Sequence, residues 1–396
     1  MSRPGYRECL AHARWAWPAA WPALTGRIRG RSGAGEVHLL LAIADHFEPE
    51  DEGTTPEIAD ARVRHWVETY PEALGEFRDS DGRPPRHTFF YPVEVYDPGH
   101  VESLAGLCRA GFGEVEVHLH HDRDTAENLR RTLSRSVRTL VGRHGLLGRC
   151  RATGAPAYAF VHGNWALNNA RHDGRWCGVN DEIRVLVETG CYADFTYPSA
   201  PGATQPPTVN TIYRAVSDPC RHRGHDHGVP VGRGLSAPEG SLLMIPGPLA
   251  LNWRRRKRGV FPRVENACVQ TSQPATAERL DLWLSACPRI PTRPDWYFVK
   301  LHAHGATERD RDALLGPVMQ TFHRDLARRA EADPRFFFHY VSAREMANLA
   351  LAAESGWTGP VDAARDFAYL WNGGRPCGLS PTASPDARSL AFDSRG

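Results

Sequence analysis

The chain has 396 residues, a net charge of +2, and a globular composition that is 41% hydrophobic and 24% charged. That fits one large barrel or two modest domains and excludes nucleic acid as a partner on charge alone. Nine cysteines without a CxxC pair exclude a disulfide framework or a zinc ribbon and predict a reducing, cytoplasmic setting.

Residues 1–35 read as a helical or loop extension, too broken by proline for a signal peptide, and no apolar run is long enough to span a membrane. Residues 36–44, EVHLLLAIA, form a mostly apolar run of the kind buried in a parallel sheet, ending at Asp45 and His46. Residues 58–70 follow as a helix with Val63, Trp66, Val67 and Tyr70 on one face, then a strand at 87–91 and a helix at 101–110 stopped by Gly111.

The densest stretch is residues 113–129, GEVEVHLHHDRDTAENL. Val115, Val117 and Leu119 alternate with Glu116, His118 and His120, the period of a strand. Asp124 and Glu127 have capping-box spacing, and Leu129, Leu133, Val137 and Leu140 recur as in a helix. His118, His120, His121 and Asp122 therefore lie at the carboxyl end of a strand, where parallel α/β folds place their ligands.

Residues 157–161 make another strand, which delivers His162, Asn164 and Trp165. Asn180 is the expected cap of a helix through Glu188, and a strand at 192–196 carries Asp194. Residues 199–240 are rich in Pro, Gly and His, with one strand at 209–216, and have the length of a functional loop; folded over the strand ends, it would bring His225 and Asp226 inward. The run RRRKR at 254–258 is either a solvated loop or a contact for phosphate or an acidic glycan.

Strands at 242–245, 296–301 and 336–341 complete a count of about eight. A helix over 307–332 has Val318, Phe322 and Leu326 on one face, Ser342 and Glu345 form a capping box, and residues 367–396 read as a tail. Alternation of this kind predicts one α/β domain over residues 36–366, an irregular (β/α) barrel of seven or eight strands with long loop insertions. No glycine-rich phosphate loop follows any strand.

Eight of the 19 histidines fall in three clusters: His118, His120 and His121; His222, His225 and His227; His302 and His304. Asp45, His46, His162 and Asp194 end other strands, and polar residues at one end of several barrel strands converge. Such a set suits metal-assisted hydrolysis, in which three protein ligands hold an ion, a carboxylate takes a proton from water and an acid protonates the leaving group. Trp165 and Trp253 are candidates for stacking on a sugar face or for rim packing.

The order of these strand-end motifs resembles that of the polysaccharide deacetylases of carbohydrate esterase family four, over roughly residues 37–354. IADHF stands where that family has paired aspartates, and offers Asp45 between Ala44 and His46. EVEVHLHHD stands where it has two histidines four apart, and FVKLHAHG, with Leu301 and His302, stands where it has its closing leucine and catalytic histidine.

The resemblance implies a deacetylase-type barrel that removes an acetyl group from an N-acetylated sugar or glycan with a divalent metal, zinc by default. It implies Asp45 as base or ligand, His302 as general acid, and a metal on Asp45, His118 and either Asp122, by its four-residue spacing, or His120, which shares the face of His118. His46, His121, His162, Asn164, Trp165, Asp194, His225, Asp226 and His304 would line the substrate site or support the ligands. The alternatives are another hydrolase of C–N or glycosidic bonds, needing two opposed carboxylates, and a metal- or glycan-binding protein without catalysis.

Overall fold

A computed structural model describes residues 14–16, 35–50 and 53–373. The strands are β1 (Val37–His46), β2 (His87–Pro92), β3 (Gly113–Leu119), β4 (Gly148–Cys150), β5 (Pro156–His162), β6 (Cys191–Asp194), β7 (Tyr213–Ala215), β8 (Val229–Pro230), β9 (Leu242–Met244), β10 (Ala250–Lys257), β11 (Phe261–Glu265), β12 (Trp296–Ala303), β13 (Phe336–Tyr340) and β14 (Tyr369–Trp371). The helices are α1 (Pro56–Leu74), α2 (Pro98–Arg109), α3 (Ala126–His144), α4 (Glu182–Glu188), α5 (Ala277–Ala286), α6 (Glu308–Leu315), α7 (Pro317–Ala332) and α8 (Ala343–Ser355).

Twelve strands form one sheet, nine of them along the path β12-β1-β2-β3-β5-β6-β9-β7-β8 with β13 beside β1, β4 beside β5 and β14 beside β4, and β10 with β11 make a separate hairpin. The run from β12 to β9 is parallel throughout. β1 is the pivot. One side pairs with β12 along its length, while the other is shared: β13 takes Val37 to Leu41 and β2 takes Ala44 to His46.

The α/β class and the parallel sheet follow the sequence pattern, but among the described residues no backbone ladder closes the sheet between β9 and β12. The reason lies in Pro246-Gly247-Pro248, which runs past β12 with two residues that have no N–H to donate. Its backbone is nevertheless in contact, since a Cβ on Gly247 would lie 2.3 Å from the Lys300 carbonyl oxygen. The buried Lys300 side chain reaches from β12 to the end of β6, donating to the Phe195 carbonyl at 2.7 Å.

The sheet has two different faces. On one, Leu39, Leu41, Phe89, Val115, Val117, Phe160 and Leu301 pack under helices α1 to α7. On the other, Leu40, Ala42, Phe90, Ala159, Val161 and Phe298 meet α8, whose turns are buried almost all round. This inner face also carries buried polar groups, Glu114, Glu116 and His118 in order from the amino to the carboxyl end of β3, and Lys300 and His302 towards the carboxyl end of β12. At the opposite end Arg344 of α8 forms a two-pronged pair with Glu114, 2.9 Å at each prong.

Several local expectations are corrected. The expected helix over 307–332 is two, broken at Gly316-Pro317, and Val318 is exposed while Met319, Phe322 and Leu326 are buried. Thr125, not Asp124, caps α3, and the Asn180 side chain donates to the Pro219 carbonyl rather than capping α4. The Ser342–Glu345 capping box is present. Residues 369–371 are not a loose tail but β14, paired with β4, and the rest of the expected tail from 374 onward lies outside the described residues. Most of the expected N-terminal extension also lies outside them; within it Trp15 is buried against Ala200 and Leu249. RRRKR lies at the exposed tip of the β10–β11 hairpin beside the exposed Trp253 and Phe261. No helix of the described residues is long and apolar enough to cross a membrane.

Candidate metal centre

β12, β1, β2 and β3 follow one another in the sheet, and side chains at the carboxyl ends of β1, β3 and β12 meet around Glu48. Glu48 Oε1 is 3.1 Å from both His118 Nε2 and His120 Nε2, and Oε2 is 3.0 Å from His304 Nδ1. The ligand-type atoms of Glu48, His118 and His120 all lie within 4.8 Å of one another, a spacing that a metal ion can use. Burial would raise the Glu48 carboxyl, but hydrogen bonds from His118, His120 and His304 hold it far below the usual carboxylate range.

Two of these imidazoles are oriented from behind. His118 Nδ1 donates to the Val161 carbonyl at 2.9 Å, which leaves Nε2 facing Glu48. His120 Nδ1 is 2.6 Å from Glu94 Oε1. A carbonyl or carboxylate behind the ligating ring is the usual support of a metal-bound histidine. Burial would lower His120, yet Glu48 and Glu94 outweigh it and raise the ring to about 9. The carboxylate thus gathers positive charge that a dication with neutral imidazoles would equally supply.

His46 and Trp165 complete the wall. The His46 ring centre is 5.0 Å from that of His118 and 4.7 Å from that of His304, and its buried Nε2 has no hydrogen-bond partner. Burial, with His304 and His118 nearby, keeps this ring well below the ordinary histidine range. Trp165 stands 5.4 Å from His46 and 5.6 Å from His304. Its backbone is left-handed, at φ 53°, as is that of Asn164 at φ 58°. His302 is buried with Nδ1 unpartnered. Burial, Lys300 and His304 push it well below its usual range, so this ring is a neutral imidazole rather than a ready acid.

Other expected residues lie elsewhere. Asp45 is on the outer face, where Oδ2 meets His87 Nε2 at 2.9 Å and Oδ1 accepts from Gly305 N at 2.6 Å, so neither oxygen points to the histidines. Asp122 is exposed and accepts from Trp176 N at 2.5 Å. Asp194 accepts from the Thr196 amide and hydroxyl, and burial pushes its carboxyl up to about 7.

The long loop packs beside the segment after β5, where Arg223 N donates to the Asn168 carbonyl. His225 Nε2 is 2.9 Å from the Tyr197 hydroxyl and Asp226 is paired with Arg223 and Arg14, so neither meets Glu48. His121 and His162 meet Glu182 in a separate group.

Glu48, Glu94 and Glu182 were not expected. Glu48 had a signal, a carboxylate two residues past His46, but the loop that turns it back over the strand end has no periodicity to read. Asp79, Asp81 and His339 form a third cluster with metal-like spacing, where the Arg365 guanidinium, 2.7 Å from Asp81, already supplies the cation. Compared with known proteins, the chain matches no family model and no curated protein sequence.

Proposed function

We propose that the protein is a divalent-metal hydrolase that removes an acetyl group from an N-acetylated sugar or glycan, with its ion on Glu48, His118 and His120 and with His46 beside them. The observation that carries this reading is one carboxylate and two rear-supported imidazoles at a partly exposed strand end, next to an unpartnered buried His46 nitrogen. Imidazole and carboxylate favour zinc among common divalent ions. When bound, such an ion supplies Lewis acidity towards a carbonyl and a water acidic enough to attack near neutral pH.

The protein's own groups supply the rest. His304, partly exposed and braced through Nδ1 by Glu48, is the proton carrier for the leaving amine, a role its raised basicity suits better than that of His302. Burial would lower His304, but Glu48 raises it. Trp165 offers an aromatic wall for a sugar face. A cleft of about 460 Å³ lined by Glu94, Tyr96, Thr132, Arg135, Ser136 and Thr139 adjoins the carboxylate that braces His120, and its hydroxyl-rich lining fits a polar glycan.

The test is acetate release from N-acetylglucosamine oligomers by metal-stripped protein before and after zinc is restored. Acetate that appears only with zinc and vanishes in Glu48→Gln supports the proposal. New reducing ends without acetate would instead assign glycosidic cleavage, and neither product would leave a binding protein.

A further inference from the structure

A second group of ligand-type side chains, which the hydrolytic reading does not use, lies at the ends of β3 and β5. His121 follows β3, His162 ends β5, Cys177 comes from the segment after β5 and Glu182 opens α4. Their ligand atoms all lie within 4.8 Å of one another. His121 Nε2 is 3.1 Å and His162 Nε2 3.4 Å from Glu182 Oε1, and Cys177 Sγ is 3.2 Å from Glu182 Oε2. Bond lengths of about 2.0–2.3 Å in tetrahedral zinc give edges of roughly 3.3–3.8 Å between ligands, so only small shifts separate these contacts from a closed site.

Each ligand is prepared from behind. His162 turns Nδ1 to the Gly163 carbonyl, which fixes the proton there, and its fully buried Nε2, aimed at Glu182, has no hydrogen-bond partner. His121 Nδ1 faces Asp124 Oδ2 at 3.3 Å. Cys177 Sγ accepts from the amides of Asn169 at 3.2 Å and Val179 at 3.4 Å; burial and Glu182 push this thiol well above its usual range, and the two N–H groups would support the thiolate that a bound cation creates. Glu182 is buried, takes an N–H from Asn168 at 2.6 Å, and otherwise faces imidazoles and a thiol.

We propose that His121, His162, Cys177 and Glu182 form a structural zinc site that fastens residues 163–181 to the ends of β3 and β5. Two imidazoles, a thiolate and one carboxylate, sealed from solvent with no open position, suit zinc and not magnesium or calcium. Binding displaces the Cys177 thiol proton and any second proton on His121. The clasped segment includes Asn164, Trp165, Asn168, Asn169 and Trp176, all left-handed without being glycine. Such backbone persists where surrounding contacts over-determine it. By holding it, the site sets Trp165 against His46 and His304.

The test replaces the protein's metal with cobalt(II). A thiolate-to-cobalt charge-transfer band in the near ultraviolet is expected in the wild-type chain and in His118→Ala, which disturbs only the other centre. Cys177→Ser should lose that band and one metal per chain by elemental analysis. A cobalt-loaded wild-type protein without the band, or Cys177→Ser with unchanged stoichiometry, would overturn the proposal. If Cys177→Ser does not fold, the wild-type and His118→Ala spectra decide it alone.

Discussion

Asp45 and His87 face each other at 2.9 Å on the outer side of β1 and β2, with less than 2% of either side chain exposed. The other Asp45 oxygen holds the Gly305 amide, so this carboxylate clamps the turn after β12, which carries His304, onto β1. Asp45→Asn is therefore expected to keep its full metal content while its melting temperature falls, since a buried hydrogen bond to a charged group contributes about 1.5–3 kcal/mol. Metal loss measured by elemental analysis in a folded Asp45→Asn protein would return this residue to the ligand set.

Glu48→Gln and His118→Ala should each lower zinc affinity by at least 10²-fold, as expected when a direct ligand is lost rather than its support, whose removal costs about 10–100-fold. Glu94→Gln, which touches only the rear nitrogen of His120, should fall within that smaller range. Competition with a chromophoric chelator ranks the three. Equal affinities in all of them would place the ion elsewhere.

His304→Gln should reduce turnover by roughly 10²–10⁴-fold with metal retained, the usual worth of a general acid, whereas His302→Gln should have a much smaller effect. The ordering follows from environment: Glu48 braces His304, while His302 is buried beside Lys300. A larger defect in His302→Gln would reverse the assignment.

Glu116 is buried on β3, accepting from Ala159 N at 2.6 Å and from the Tyr192 hydroxyl at 2.5 Å, and burial raises its carboxyl to about 8. Between the ordinary carboxylate range and that value the folded chain binds more protons here than the unfolded one, so stability falls as pH rises through this window. Glu116→Gln keeps both contacts, with its amide oxygen towards Ala159 and its amide nitrogen towards Tyr192, and removes the titration. Melting curves of the two proteins should converge near pH 4 and separate towards pH 8 with the variant the more stable; parallel curves would refute the shift.

At the far end of the sheet, Arg344→Leu removes the fork on Glu114, which keeps the Arg86 guanidinium at 3.2 Å, and should destabilise by no more than the roughly 3–5 kcal/mol that breaking a buried pair costs. Removing both charges in Arg344→Leu/Glu114→Leu should recover part of this in denaturant titrations. No recovery would mean that Arg344 acts through its contacts with the Tyr369 carbonyl and Asp366 instead.

Strand alternation made much of this legible. The period of two in Val115 to His120 sets His118 and His120 on one face, and the same rule puts Asp45 and His46 on opposite faces of β1. Which of that pair points inward is decided by the neighbouring strands and by α8, information no local pattern carries. Glu94, Cys177 and Glu182 were harder still, because they reach their imidazoles from a 3₁₀ turn, an irregular loop and a short helix start. The lack of a ladder between β9 and β12 among the described residues has a reason visible in sequence, the prolines around Gly247, whose position opposite β12 was not.

β1 owes half of one edge to residues 336–340 and the other half to residues 88–90. During synthesis that edge stays half unpaired until nearly the whole chain has emerged, and α8, which fills the inner face, comes later still. His46 and Glu48 therefore leave the ribosome long before the scaffold that aims them exists. Ion capture belongs to the end of folding, and a chain cut before residue 336 should hold no metal at Glu48.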